Sequence, residues 1–426
     1  MTNIADANTN NQLSRYEKTM AVCFALGLAA GPVAPAVMGI ALVIGVLMLF
    51  RYAWNSVSMA DIKDCLASPM GILMSLAMVW FFISSGFSLD PAKSFQVSAR
   101  TTFVFFVATI FYLVFQRKLL LAKYLIDKLA LVFGIWVLAA SMLVMWRVYG
   151  FEPTILTALI VLKNDASLAI LLLPVFLIAG FKNKGLMRII MLLFFCFAGM
   201  LAFGYGADEL RNKSGLFAAA ISAIIVVVYW ITARVQIRLR QLCFSLLFIA
   251  SVVSLVAVMG KLPELGDLNA SPPAATLPVP DHHRQVIWSF VIDHIWDRPV
   301  VGYGIDSAKL IPGANTRIIE LANQEYVPAH PHNWILEIAV ETGIPSVMFV
   351  LGTVLAAFLM ILRIKISSRQ EKENLAALVF ILVAFCAVSL VSYSIWTVWW
   401  LVDFAFIFAL LRARLDNIRS AHSTQN

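Results

Sequence analysis

The sequence predicts an all-α polytopic integral membrane protein, and three observations carry that prediction. The chain is 61% hydrophobic and only 13% charged, against roughly 45–50% apolar residues in soluble domains. Its mean hydropathy is +0.86. The apolar residues are gathered into runs of the length a spanning helix needs, roughly 20 residues each. One membrane domain fits this composition better than several soluble ones.

Such runs lie near 18–33, 35–51, 69–87, 101–116, 129–146, 165–181, 187–204, 215–232, 242–260, 342–362, 375–394 and 396–411, about twelve transmembrane helices in all. The first two are split by Gly31-Pro32-Val33-Ala34-Pro35, a helix-breaking sequence. The leading residues MTNIADANTNNQLSR have no apolar core of a signal peptide, so the first run is expected to be retained. The five cysteines show no metal-ligand or disulfide spacing, and four of them sit inside apolar runs, where core filling is expected.

The basic residues set the orientation. With the N-terminus inside, 21 of the 32 Lys and Arg fall on inner segments, and both termini are expected to be cytoplasmic. The net charge of +8 is then mostly topogenic, and no nucleic-acid partner is expected. The chain divides into N-terminal spans over 1–260, one large, largely helical outer loop over 261–341 between the ninth and tenth spans, and C-terminal spans with a tail over 342–426. The short loops 90–100, 147–163 and 204–214 open on the same outer face.

The outer loop differs from the rest of the chain. It holds His282, His283, His294, His330 and His332, leaving only His422 elsewhere. Residues 261–280 are rich in Pro, Ala and Leu and read as an extended connector. Asp281 is placed to cap a helix over 282–296. Val286, Ile287, Phe290, Val291 and Ile295 recur there at helical spacing, which would lay this helix on the membrane surface. Gly302-Tyr303-Gly304 reads as a turn, 316–324 as a second helix, and 332–342 as a third, ended by Gly343 and Pro345.

Four features could carry chemistry. His330-Pro331-His332-Asn333 stands at a helix start. A neutral imidazole there can take up a proton near neutral pH, and the positive helix end favours the neutral state. Read alone, these histidines also fit a metal site or a purely structural role. Arg284 suits a phosphate or pyrophosphate, since its planar fork binds oxyanions and stays charged; pairing with Asp281 or a lipid headgroup is the alternative. Lys213, with Arg211 nearby, either adds positive charge at the outer end of the eighth span or simply snorkels to the interface. Asp403 lies inside the last apolar run, where a carboxylate is costly and marks function or a buried pair.

Taken together, Arg284-x-x-x-Trp288, Asp297-x-Pro299-x-x-Gly302-x-Gly304 and His332-Asn333-x-x-Leu336-Glu337-x-x-x-Glu341-Thr342-Gly343-Ile344-Pro345 resemble the O-antigen ligase and O-antigen polymerase superfamily. That resemblance covers about sixty residues of motif; beyond it the likeness is architectural. It implies a bacterial inner-membrane glycosyltransferase working at the periplasmic face. Such an enzyme moves a polysaccharide from an undecaprenyl-pyrophosphate carrier to an acceptor sugar, with no metal or cofactor. By position, Arg284 matches the arginine that binds donor pyrophosphate, and His332 the general base. Arg211 or Lys213 matches a mid-chain basic residue, Asp403 loosely an acidic residue of the last span, and His330 and Asn333 flank the base as further substrate-binding candidates. Direct displacement would invert the anomeric centre. One dominant outer loop favours a ligase, with lipid A–core as acceptor, over a polymerase that extends the glycan on its carrier. A transporter of lipid-linked oligosaccharide would place charges deep in several spans, and apart from Asp403 these spans carry almost none.

Overall fold

The computed structural model describes residues 12–31, 34–150, 155–180, 213–232, 235–259, 282–319 and 323–423. Thirteen α-helices are described: α1 Arg15–Ala30, α2 Pro35–Ser56, α3 Met59–Ala67, α4 Pro69–Ser85, α5 Pro91–Phe115, α6 Leu119–Gly150, α7 Ile155–Gly180, α8 Lys213–Thr232, α9 Ile237–Met259, α10 His282–Asp297, α11 Trp334–Leu362, α12 Arg369–Ser389 and α13 Val398–Ser423. This is a multi-pass membrane protein. Six described helices are long and apolar enough to cross a membrane, or seven if the pair α3 and α4, bent by 86°, forms one span. Helices cover every expected apolar run except 187–204, which lies outside the described residues, as do the connector 261–280, Asp281 and Arg211.

Local chemistry explains the helix starts. Ser14 and Glu17 form a reciprocal capping box on α1, and Ser58 and Asp61 do the same on α3. Ser68, Asp90 and Ser368 cap α4, α5 and α12. Proline opens α2, α4 and α5, where its missing N–H costs nothing. The main core joins α1, α5 and α13 through Phe24, whose ring centroid lies 4.9 Å from Phe111 and 5.5 Å from Phe406.

A second, smaller core sits under the outer loop. Ile287, Trp288, Val291 and Ile295 of α10 pack with Leu336, Ala339 and Val340 of α11, and with Ile311, Ala314 and Val327 from the intervening chain. The apolar stripe expected to lie on the bilayer is thus covered by protein. The helix expected over 316–324 is corrected. Arg317–Ile318 pairs antiparallel with Gln324–Glu325 instead, as β1 and β2. Ile318 is buried between exposed Arg317 and Ile319, the alternation of a strand, and Asn323 turns the chain at φ 59°.

The decisive local feature is a break in α11. Gly343 has φ 81° and ψ 168°, and Pro345 follows inside the helix. Proline supplies no N–H to the carbonyl four residues earlier, so Glu341 and its neighbours need other partners. The turn 299–304 provides them. Gly304 N–H donates to the Glu341 carbonyl at 2.7 Å and Tyr303 N–H to Val340 at 2.9 Å, while Ile344 N–H donates to the Pro299 carbonyl at 2.8 Å. From α4, Trp80 Nε1 donates to the Thr342 carbonyl at 2.9 Å and Ser84 Oγ to the Val301 carbonyl at 2.6 Å. The Pro299-x-x-Gly302-x-Gly304 and Glu341-Thr342-Gly343 motifs are two halves of one backbone joint.

Candidate functional site

This joint fixes α10 against the start of α11. Arg284 and Trp288 are four residues apart, so they share one face of α10. Trp288 is buried, and its Nε1 donates to the Pro331 carbonyl at 2.8 Å. One turn away, Arg284 donates through a guanidinium N–H to the Val391 carbonyl. His283 bonds the Glu325 carbonyl at 2.7 Å through Nε2, tying the start of α10 to β2.

Trp288 therefore holds the loop that carries the two histidines. His332 adopts φ 55°, a left-handed conformation that is uncommon outside glycine and costs about 1–3 kcal/mol. In it, the His332 N–H points at His330 Nδ1, 3.2 Å away, and the two rings meet edge-on at 4.1 Å between centroids. His332 Nδ1 lies 2.7 Å from the Ser392 carbonyl. A carbonyl can only accept, so Nδ1 carries the hydrogen and the lone pair of a neutral ring resides on Nε2.

His330 accepts at Nδ1, which requires that nitrogen to be unprotonated. Burial, then the neighbouring His332 and Arg284 charges, push its pKa down from 6.5 to about 3. Between those values acid adds a proton to the unfolded chain but not to the folded one, so stability falls as pH drops from about 6.5 toward 3. His330→Gln removes that titration. Its melting temperature in detergent should therefore fall less than that of the wild type between pH 7 and pH 5.

The partners of Arg284 and His332 are consecutive carbonyls of one short segment, 390–397, which joins α12 to α13. This segment is held from several sides. The Ile395 N–H donates to Glu337 Oε2 at 2.9 Å, and Trp396 Nε1 donates to Glu341 Oε2 at 2.6 Å. Arg100 donates to the Trp396 carbonyl at 3.0 Å, and the Tyr393 hydroxyl reaches Asn164 Oδ1 at 2.9 Å. Glu341 also accepts from the Asp306 and Ala308 N–H groups, at 2.8 and 3.0 Å. Sequence reasoning missed this segment because it contributes backbone atoms, and it noted Glu337 and Glu341 only as motif letters. Two carboxylates four apart on one apolar helix were the available signal.

The remaining candidates separate from this centre. Asn333 is 1% exposed and caps α11, its Oδ1 accepting from Ile335 N and Leu336 N at 3.1 and 3.3 Å. Asp403 lies in α13, fully buried, with neither carboxyl oxygen hydrogen-bonded among the described residues. It sits at the break between α1 and α2, where a Cβ on Gly31 would lie 3.0 Å from Asp403 Oδ2. Lys213 is the first residue of α8. Among the described residues no group of three His, Cys, Asp or Glu is arranged to hold a metal ion.

Comparison with known proteins bears on the same region. The O-antigen ligase family, Wzy_C, matches residues 209–351, a stretch that includes Arg284, His332 and the α11 break. A protein of Rickettsia conorii, provisionally named a polysaccharide ligase, is 27% identical over 368 residues, covering 80% of this chain and 79% of the relative. A similarly named protein of Rickettsia typhi is 25% identical over 79% of this chain and 78% of its own. A third, from Rickettsia felis, is 30% identical over 43% of this chain and 44% of its own. The motifs at the joint and these matches all support a likeness to the O-antigen ligase superfamily.

Proposed function

We propose that the protein is a glycosyltransferase of the bacterial inner membrane, with a periplasmic site built on residues 261–341. It joins O-antigen polysaccharide, delivered on undecaprenyl pyrophosphate, to lipid A–core. The observation that carries this reading is the pairing of Arg284 and His332 on adjacent carbonyls of the 390–397 segment. One is a permanent cation, and the other is an imidazole that, when neutral, carries its basic lone pair on Nε2.

That pair matches what the reaction needs. The acceptor hydroxyl attacks the anomeric carbon, the new glycosidic bond forms as the bond to pyrophosphate breaks, and configuration inverts. His332 Nε2 takes the hydroxyl proton. Arg284 balances charge on the departing undecaprenyl pyrophosphate, helped by Lys213 at the start of α8 or by Arg211 two residues earlier in the sequence. The donor brings its own leaving group, so the protein's work is positioning, charge balance and one proton transfer, and the reaction runs without a metal.

The test is transfer by purified protein in liposomes, with undecaprenyl-pyrophosphate-linked glycan, lipid A–core and a chelator. Glycan should appear on lipid A–core regardless of chelator, and Arg284→Ala should reduce the rate by about 10²–10³-fold. Longer carrier-linked glycan with untouched lipid A–core would instead make the protein a polymerase. Movement of carrier-linked glycan across the bilayer with no covalent product would make it a transporter.

A further inference from the structure

At the end of the bundle remote from Arg284 and His332, α8, α9 and the α11–α12 connection enclose a cavity of about 750 Å³. Helix α11 runs the distance between the two, about 40 Å along its 29 residues. Trp230 and Ile231 at the end of α8, Ile237 and Arg240 at the start of α9, Lys365 in the connection, and Lys372 in the first turns of α12 line it. Among the described residues no carboxylate does. Three cations converge on one space, and none of them forms an ion pair among the described residues.

The arginine is the most informative of the three. Arg240 is 3% exposed, with its guanidinium over the Tyr229 ring at 5.5 Å and one N–H donated to the Leu362 carbonyl. Its buried Nε has no hydrogen-bond partner among the described residues. A buried charged donor left unsatisfied is costly, and a guanidinium with a spare N–H is suited to an oxyanion. Lys365 and Lys372 are exposed, and Lys372 Nζ stands 5.0 Å above the Trp230 ring, near enough to turn toward the same anion. The neighbouring walls are apolar and outward-facing, Trp230 being 43% and Ile231 71% exposed. A site with a cationic floor and an apolar open side matches a phosphate carried on acyl chains.

We infer that this cavity is a phosphate-binding site, distinct from the transfer site, whose ligand is the headgroup of an anionic phospholipid. It stands independently of the proposed transfer reaction. The source of the phosphate is separable by experiment. Full-length protein in detergent is titrated with phosphatidylglycerol, with phosphatidylcholine and with inorganic phosphate, and binding is read by native mass spectrometry and by the shift in melting temperature. Phosphatidylglycerol should bind more tightly than phosphatidylcholine. Lys365→Gln with Lys372→Gln should weaken it by roughly 25-fold, about fivefold for each lysine. Both lysines are exposed, so this variant keeps its fold. Arg51→Gln with Arg363→Gln removes two exposed bases outside the cavity and should change nothing. Stabilisation by inorganic phosphate that is lost in the lysine variant would support the same site with a soluble ligand. Equal binding of the two lipids without such a phosphate effect, or equal losses in both variants, would overturn the inference.

Discussion

Alanine at position 332 should remove transfer activity almost completely, by about 10²–10⁴-fold, the span expected when a general base is lost. The amount of folded protein should not change. His332 contributes a ring hydrogen bond to Ser392, and its backbone bond to His330 survives the substitution. The hydrogen bond to the Ser392 carbonyl makes a sharper expectation. It fixes Nδ1 as the protonated nitrogen and favours the imidazolium that forms during transfer, much as a carbonyl or carboxylate orients histidine elsewhere. His332→Gln, which has no basic nitrogen to take the acceptor proton, should lose the rate as His332→Ala does. Initial rates of glycan transfer in liposomes, measured for both variants, check both points. Wild-type rates in His332→Ala would leave the reaction without its base.

Gly343→Ala should cost about 3 kcal/mol or more of stability, because two penalties add at one atom. At φ 81° a Cβ is strained in any surroundings, and here it would lie 1.9 Å from the Val300 carbonyl oxygen and 2.4 Å from its carbon. Backbone cannot give way as a flexible side chain can. The turn 299–304 would have to lift from α11, taking with it the hydrogen bonds from Tyr303, Gly304 and Ile344. That turn follows directly on α10, so Arg284 would move relative to His332. Melting in detergent, with Gly39→Ala as control, measures the effect. A Cβ at Gly39 meets nothing within 4 Å, and alanine there, in the second turn of α2, should be neutral or slightly stabilising.

The sequence was enough for the helical membrane class, since apolar runs of spanning length have few other uses. It placed α2 and α4 closely, with Pro35 and Pro69 at their starts, but the run 101–116 begins ten residues inside α5, which Asp90 and Pro91 open. It also singled out the segment that carries Arg284 and His332. It failed at 316–324, where a short stretch forms β1 and β2. A helix that brief has little stability of its own, and the choice falls to burial of Ile318.

What the tertiary structure alone decided is the meaning of the motifs. Spacing along the chain cannot reveal that Gly302 and Gly343 let two backbones touch, or that Pro345 frees carbonyls for the turn before it. Nor can it reveal the 390–397 segment, whose contribution to Arg284 and His332 is made by carbonyl oxygens that every residue type possesses. Side-chain patterns record which surfaces are apolar and where helices begin. Which backbone atoms meet is set by how the helices pack, and at this centre those meetings orient the groups that carry charge and the proton.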